Sequence, residues 1–455
     1  MIETPSLPPT GPGLRDRWTD IFRSDIVVHL SLMAAIVLGT FQAYLKDRMV
    51  GPLPYVLADG AFAVAVLAWF GAMAIRHTPI RGPGTTPVIL LAVILLPAFY
   101  VLHPGTTLLV KAAGLRSWSM FPLAALLGLT VVRNAGQLRA YTGLILGLCI
   151  VTAVYGLRQY AAGPSVVAQA GPLALQRHGA SIFFTIGPSG ETAFRAFSTF
   201  TYPAPFAAMM VFGILLAAGI VTSRSRPRTM RWLAAAMIPL FFAGMTVSGT
   251  RAALVVAVVG LMVLAWFRGM SAAQLVLLPL GAGAFYVATV MTAGRLLGRF
   301  QSLLLQEGIL WYYIGNPIRI ALDALRAHPF GLGLGRTGIG VPFPITSSAP
   351  TDYFVFTDGD IGRAAVELGW FGIAVMLLVI FGLVRYVPRA SRMLLHTPAE
   401  DLALGIGPLL IATAVLILIG SPFATVPHGI IWWFFFGALL RLAMDRADRS
   451  AVERG

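Results

Sequence analysis

"TVSGTRAALVVAVVGLMVLAW" runs from Thr246 to Trp266. A Ser-Gly-Thr corner is followed by Arg251, and no further charged residue occurs before Arg268. An apolar run of this kind reads as a helix entering a membrane, where roughly 20 residues are needed to cross the hydrocarbon. The arginine then stands near membrane depth with no acidic residue close to it in sequence. A guanidinium there demands an anionic partner. The stretch therefore raises two questions: whether the rest of the chain is also membrane-bound, and what anion the arginine meets.

The chain has 455 residues, of which 57% are hydrophobic and only 11% charged. A soluble domain is about a quarter charged. Apolar runs recur along its length at about 26–45, 55–75, 87–103, 118–132, 140–157, 203–222, 232–247, 252–267, 273–293, 364–384, 403–420 and 430–442. The expected fold is an all-α polytopic integral membrane protein. It would have about 12 transmembrane helices and a long outer loop carrying short interfacial helices. The expected organisation is a cytoplasmic tail over 1–24, transmembrane helices 1–9 over 25–292, the long loop over 293–362, helices 10–12 over 363–442, and a second tail over 443–455. The first residues, "MIETPSLPPTGPGLRDRW", lack the layout of a cleavable signal and read as a short disordered tail. One cysteine, Cys149, excludes an intrachain disulfide and a metal site built on cysteine pairs.

The net charge is +15, and of 33 basic residues 19 fall in the termini and alternate short loops. They include Arg133, Arg139, the group Arg224 to Arg231, Arg268 and Arg385 to Arg392. The positive-inside rule then places both termini in the cytoplasm. Two longer loops, about 158–202 and 293–362, fall on the outer side. Within the second, "NPIRIALDALRAHPF" has the pattern of an amphipathic interfacial helix.

Outer arginines are where the rule says arginine should be scarce. Most read as solvated or snorkelling charges. Arg195, in "FRAFSTFTYPAPFA", and Arg251 are different, because each sits just ahead of an apolar run with few carboxylates near it. A lipid diphosphate at headgroup level suits two planar guanidinium forks. The glycine-rich "HPFGLGLGRTGIG", from His328 to Gly340, follows no strand and has no Gly-Lys-Ser/Thr. It is therefore neither a dinucleotide fingerprint nor a P-loop. It reads as a bend, with Gly333 and Gly335 allowing close backbone approach to substrate and Arg336 and Arg319 as further substrate contacts.

Four pieces occur in order: "RAFSTFTYPAPFA", "SGTRAALVVAVVGLMVLAW", "ALRAHPFGLGLGRTGIG" and "DGDIGRAAVELGWFGIAVMLLVIFGLV". Together they resemble the O-antigen ligase and O-antigen polymerase superfamily of bacterial envelope glycosyltransferases, best over about residues 190–385. The resemblance implies a bacterial inner-membrane enzyme with its site on the periplasmic face, which makes the long outer loop a periplasmic loop. Such an enzyme transfers a glycan from an undecaprenyl-diphosphate carrier to a hydroxyl of an acceptor glycan, without metal, cofactor or nucleic acid. It implies that Arg195 and Arg251 hold the donor diphosphate. A flippase and a chain-length regulator would be candidate partners, beside membrane lipids. Many ligases carry His-Asn about nine residues before the glutamate that corresponds to Glu367. Here that position is Asp358, followed by Gly359. The change leans toward a repeat-unit polymerase, with an O-antigen ligase as the alternative and a lipid-linked oligosaccharide flippase as the rival of another class.

Glycosyl transfer needs a stabilised leaving group and a base for the acceptor hydroxyl. Asp358 is the expected base. Asp360 is the expected substrate contact and also a candidate helix cap. Glu367 stands four residues after Arg363, the spacing of an intrahelical ion pair.

Overall fold

The computed structural model describes residues 25–49, 53–76, 80, 82–104, 106–169, 182–186, 191–269, 311, 315–339, 341, 353–355, 357, 359–421 and 423–452. The described chain is predominantly helical. Its main helices are α1 (Ile26–Thr40), α2 (Gln42–Arg48), α3 (Leu53–Arg76), α4 (Thr86–Phe99), α5 (Leu108–Leu115), α6 (Leu123–Val131) and α7 (Ala135–Ala162). They continue as α8 (Pro203–Thr222), α9 (Arg228–Val247), α10 (Arg251–Phe267), α11 (Asn316–Ala327), α12 (Gly359–Leu394), α13 (Glu400–Ala414) and α14 (His428–Val452). A two-stranded antiparallel hairpin, β1 (Phe183–Ile186) with β2 (Glu191–Phe194), precedes α8.

Five of these helices, α3, α7, α8, α9 and α12, are long and apolar enough to cross a membrane. There are six if α1 and α2, which meet at a 62° bend, form one span. Most other expected spans fall on shorter or interrupted helices, while 430–442 lies within the 25-residue α14. The stretch 118–132 lies on the nine-residue α6, preceded by a π-helical turn over Arg116–Met120. The run 252–267 lies on the 17-residue α10. The run 273–293 lies outside the described residues.

Ion pairs hold one end of the bundle together. Arg133 reaches Asp25 at 2.8 Å, and Asp401 takes both Arg139 at 3.1 Å and Arg226 at 2.7 Å. Glu400 pairs with Arg268 at 2.9 Å and accepts the Arg224 amide at 2.7 Å. Burial would raise the Glu400 carboxyl. The Arg224 amide, the Arg268 charge, the Ser223 hydroxyl and the Ser225 amide outweigh it and hold the group below its ordinary range. Both acids stand in the first turn of α13, where the helix dipole favours them. These loops are the arginine-bearing ones that the charge count assigns to a single side.

At the opposite end, α12 is not one helix but two, broken at Gly369 with φ 62°. A break frees backbone groups that a membrane protein must satisfy internally. The glycine loop does so. The Leu332 and Gly333 amides donate to the carbonyls of Val366 and Glu367 at 2.8 and 3.1 Å. The Trp370 amide donates to the Pro329 carbonyl at 3.0 Å, and Tyr100 Oη donates to the Leu368 carbonyl at 2.8 Å.

Candidate functional site

The site is assembled by the Ser-Gly-Thr corner between α9 and α10. Gly249 turns the chain with φ 60°, and Ser248 Oγ donates to the Met245 carbonyl while accepting the Thr250 amide. The strand end that carries Arg195 is tied to this corner, because the Ala196 amide donates to the Val247 carbonyl at 3.0 Å. Arg195 Nε then donates to the Ser248 carbonyl at 2.9 Å, and its Nη2 to Thr250 Oγ1 at 3.0 Å. The arginine is thereby set beside Arg251, the first residue of α10.

The turn after Arg195 is also fixed. Ser198 occupies a left-handed conformation with φ 54°, which costs a non-glycine residue about 1–3 kcal/mol. Its Oγ donates to the Thr152 carbonyl at 2.6 Å, and Gln159 Oε1 accepts the amides of Phe197 and Ser198 at 2.8 Å each.

Arg195 and Arg251 line a half-open cavity of about 360 Å³. Tyr202, Thr250, Thr357, Ser421, Thr425 and His428 add polar groups, while Val211, Phe212, Val256 and Leu416 give it an apolar wall. Asp358 lies outside the described residues, but its neighbours Thr357 and Gly359 both line this cavity. Residues more than 50 positions apart in sequence thus meet in one chamber, cationic on one side and greasy on another.

The other expected contacts lie elsewhere. Arg319 is exposed on α11, within 3.4 Å of Asn316 Oδ1. The Arg336 guanidinium lies over the Tyr353 ring at 4.5 Å. Gly333 and Gly335, with φ 99° and 79°, approach protein and not the cavity. A Cβ on Gly335 would come within 2.5 Å of the Val110 carbonyl, and one on Gly333 within 3.0 Å of His103 Nδ1. The close approach expected of these glycines is therefore made to α5 and to the segment before it.

Asp360 takes a hydrogen bond from Ser421, which lines the cavity, and belongs to a buried charge cluster with Arg363 and Glu367. All three side chains are at most 1% exposed. Arg363 lies 3.7 Å from Asp360 Oδ1 and 3.5 Å from Glu367 Oε2, so the pair expected from the four-residue spacing forms. The cluster recruits distant groups. Trp118 Nε1 donates to Glu367 Oε2 at 2.7 Å, Thr337 Oγ1 donates to Glu367 Oε1, and Arg363 donates to Ser117 Oγ. The Arg363 guanidinium also stacks 4.4 Å over the Trp118 ring, and Asp360 Oδ2 accepts the Phe423 amide at 3.3 Å. Asp59, the acid that stands near the start of the second apolar run, pairs with Arg116 at 2.7 Å.

Sequence reading did not find Tyr202, Trp118, Thr337 or His428. Only the last carries a local signal, "PHG" at the head of an apolar run.

Fold and site together define a class: a helical protein with helices able to cross a membrane and an arginine-lined cavity at one end of the bundle. Compared with known proteins, the chain matches no family model and no curated sequence.

Proposed function

We propose that the chain is a periplasmic-side glycosyltransferase that moves a glycan from an undecaprenyl-diphosphate carrier to a hydroxyl of an acceptor glycan, as a polysaccharide repeat-unit polymerase. The observation that carries this reading is the cavity: two arginines at its rim, an apolar wall, and the flanks of Asp358 on its lining. An isoprenoid diphosphate has the same two characters, polyanion and hydrocarbon. In the proposed reaction the acceptor oxygen attacks the anomeric carbon. The bond from that carbon to the phosphate oxygen breaks, and the diphosphate leaves with the electron pair. Arg195 and Arg251 stabilise the leaving polyanion, which is where fixed cations lower the barrier most. Asp358 takes the hydroxyl proton.

The topology that goes with it is about 12 crossings with both termini in the cytoplasm. The ion pairs of Glu400 and Asp401 then lie at the cytoplasmic end, which supports a site open to one side and speaks against a two-sided transporter.

Arg195→Ala and Arg251→Ala should each abolish the glycan ladder on a gel at parental protein level in the membrane. A normal ladder from either variant removes the proposal. Loss of glycan on lipid A-core, with polymer length unchanged, would assign ligase activity in place of polymerase. The orientation is read by a membrane-impermeant thiol reagent on spheroplasts. Asp323→Cys should label and Ser225→Cys should not.

A further inference from the structure

His428 opens α14 and is 1% exposed. Its ring lies between Phe200, at 5.6 Å between centroids, and Phe212, edge-on at 5.5 Å. It lines the same cavity as Arg195 and Arg251. Neither ring nitrogen makes a hydrogen bond of ordinary geometry among the described residues, and the Pro205 carbonyl is within electrostatic reach of the ring. A neutral imidazole carries one N–H and one lone pair, and buried polar groups of this kind are paired in nearly all native proteins. Several other buried polar groups of the bundle are paired, and Ser119 Oγ, Ser391 Oγ and Trp433 Nε1, which have no partner among the described residues, lie off this cavity. His29 Nδ1 lies 2.9 Å from Tyr141 Oη, and Trp432 Nε1 donates to Thr413 Oγ1 at 2.6 Å. His428 differs in facing a chamber large enough for a ligand.

Its level in the bundle says which part of a ligand it meets. Phe200 precedes α8, whereas Phe212 is well inside it, so His428 sits between the arginine rim and the apolar wall. At that level a lipid diphosphate changes from phosphate to hydrocarbon. A phosphate oxygen is an acceptor without a hydrogen, and it takes an N–H well.

We infer that His428 is an anion contact, its ring N–H donating to a phosphate oxygen of the ligand held by Arg195 and Arg251. This rests on the reading of the cavity as a phosphate site, and not on glycosyl transfer itself.

The test is binding to the purified full-length chain in nanodiscs, with farnesyl diphosphate and inorganic pyrophosphate as probes. His428→Phe keeps the aromatic packing and removes the N–H. His428→Gln keeps a donor. The phenyl variant should bind farnesyl diphosphate roughly tenfold more weakly, and the glutamine variant no more than about threefold. An effect on both probes supports contact to the phosphate of a free anion as well as a lipid. An effect confined to farnesyl diphosphate supports contact to a lipid headgroup. Unchanged affinity in His428→Phe, or equal weakening by both variants, overturns the inference. Arg251→Ala in the same assay separates the layers. If it loses binding and His428→Phe does not, only the histidine contact falls. If both bind as the parent does, the phosphate site falls too. A measurement on the unaltered protein guards against a variant that does not fold. Farnesyl diphosphate should protect His428 from diethyl pyrocarbonate, read by peptide mass spectrometry, and equal modification with and without ligand overturns the contact.

Discussion

Two arginine sites stand at the same end of this molecule and differ in almost every physical respect. Arg363 is sealed, 1% exposed, between two carboxylates and over an indole ring. Arg195 and Arg251 line an open chamber, and Arg195 is held by a carbonyl and a hydroxyl of the corner beside it. The sealed cluster joins segments that are far apart in sequence: Ser117 and Trp118, Thr337, the start of α12, and Phe423. Its charges are spent on one another, so it serves the fold. The open pair has surface left for a ligand. Residue type does not separate the two; enclosure and the identity of the partners do.

The strongest way to break this comparison is at the sealed site. Arg363→Ala leaves Asp360 and Glu367 buried without their cation and should destabilise the protein by about 3–5 kcal/mol. The check is a thermal unfolding midpoint in detergent together with membrane abundance. Parental values for both would show that the cluster is not structural. Arg251→Ala, by contrast, should leave both unchanged.

Next in size is the glycine loop that plugs the break in α12. Gly335→Val adds a branched side chain at φ 79° against the Val110 carbonyl. Strain and overlap together should cost about 2–4 kcal/mol. The loss should appear as lower protein level as well as lower glycan yield. A variant with full protein level and no glycan would return this loop to the substrate site.

The open site is sharpened by Arg251→Lys. A point charge keeps the attraction but loses the fork, so glycan synthesis should fall roughly tenfold and not vanish. Complete loss would mean that geometry matters more than charge. Arg336→Ala removes a cation stacked over the Tyr353 ring, worth about 0.5–1 kcal/mol, and should barely shift the unfolding midpoint.

The smallest expected effect lies at the far end. Glu400 has its carboxyl held low in the folded chain, so its contribution is complete above the ordinary carboxylate value of 4.5. It is lost only as pH falls through the depressed folded value. Glu400→Gln should flatten the acid side of the stability profile. An unchanged profile would show that this end is not held by the pair.

Much of this was legible without coordinates. The apolar runs over 55–75, 140–157, 203–222, 232–247 and 364–384 coincide with the five helices long enough to span a membrane. Hydrophobicity is summed locally along the chain, so it can be read there. The spacing of Arg363 and Glu367 likewise implied their pairing, because four residues is one helical turn. Arg195 and Arg251 stand out in the sequence as charges beside apolar runs, again a local signal, and both line one cavity.

What only the tertiary structure decided was company. That Arg195 leans on the corner preceding Arg251 depends on a hydrogen bond across 53 positions. That Asp360 joins Arg363 and Phe423 depends on which way one turn of α12 points. The glycines at 331–335 look the same in sequence whether they admit a substrate or a helix break. Gly369, whose φ of 62° breaks α12, sits within an apolar run that reads as continuous. Partnership of this kind is set by packing between segments distant in the chain, and no local pattern encodes it.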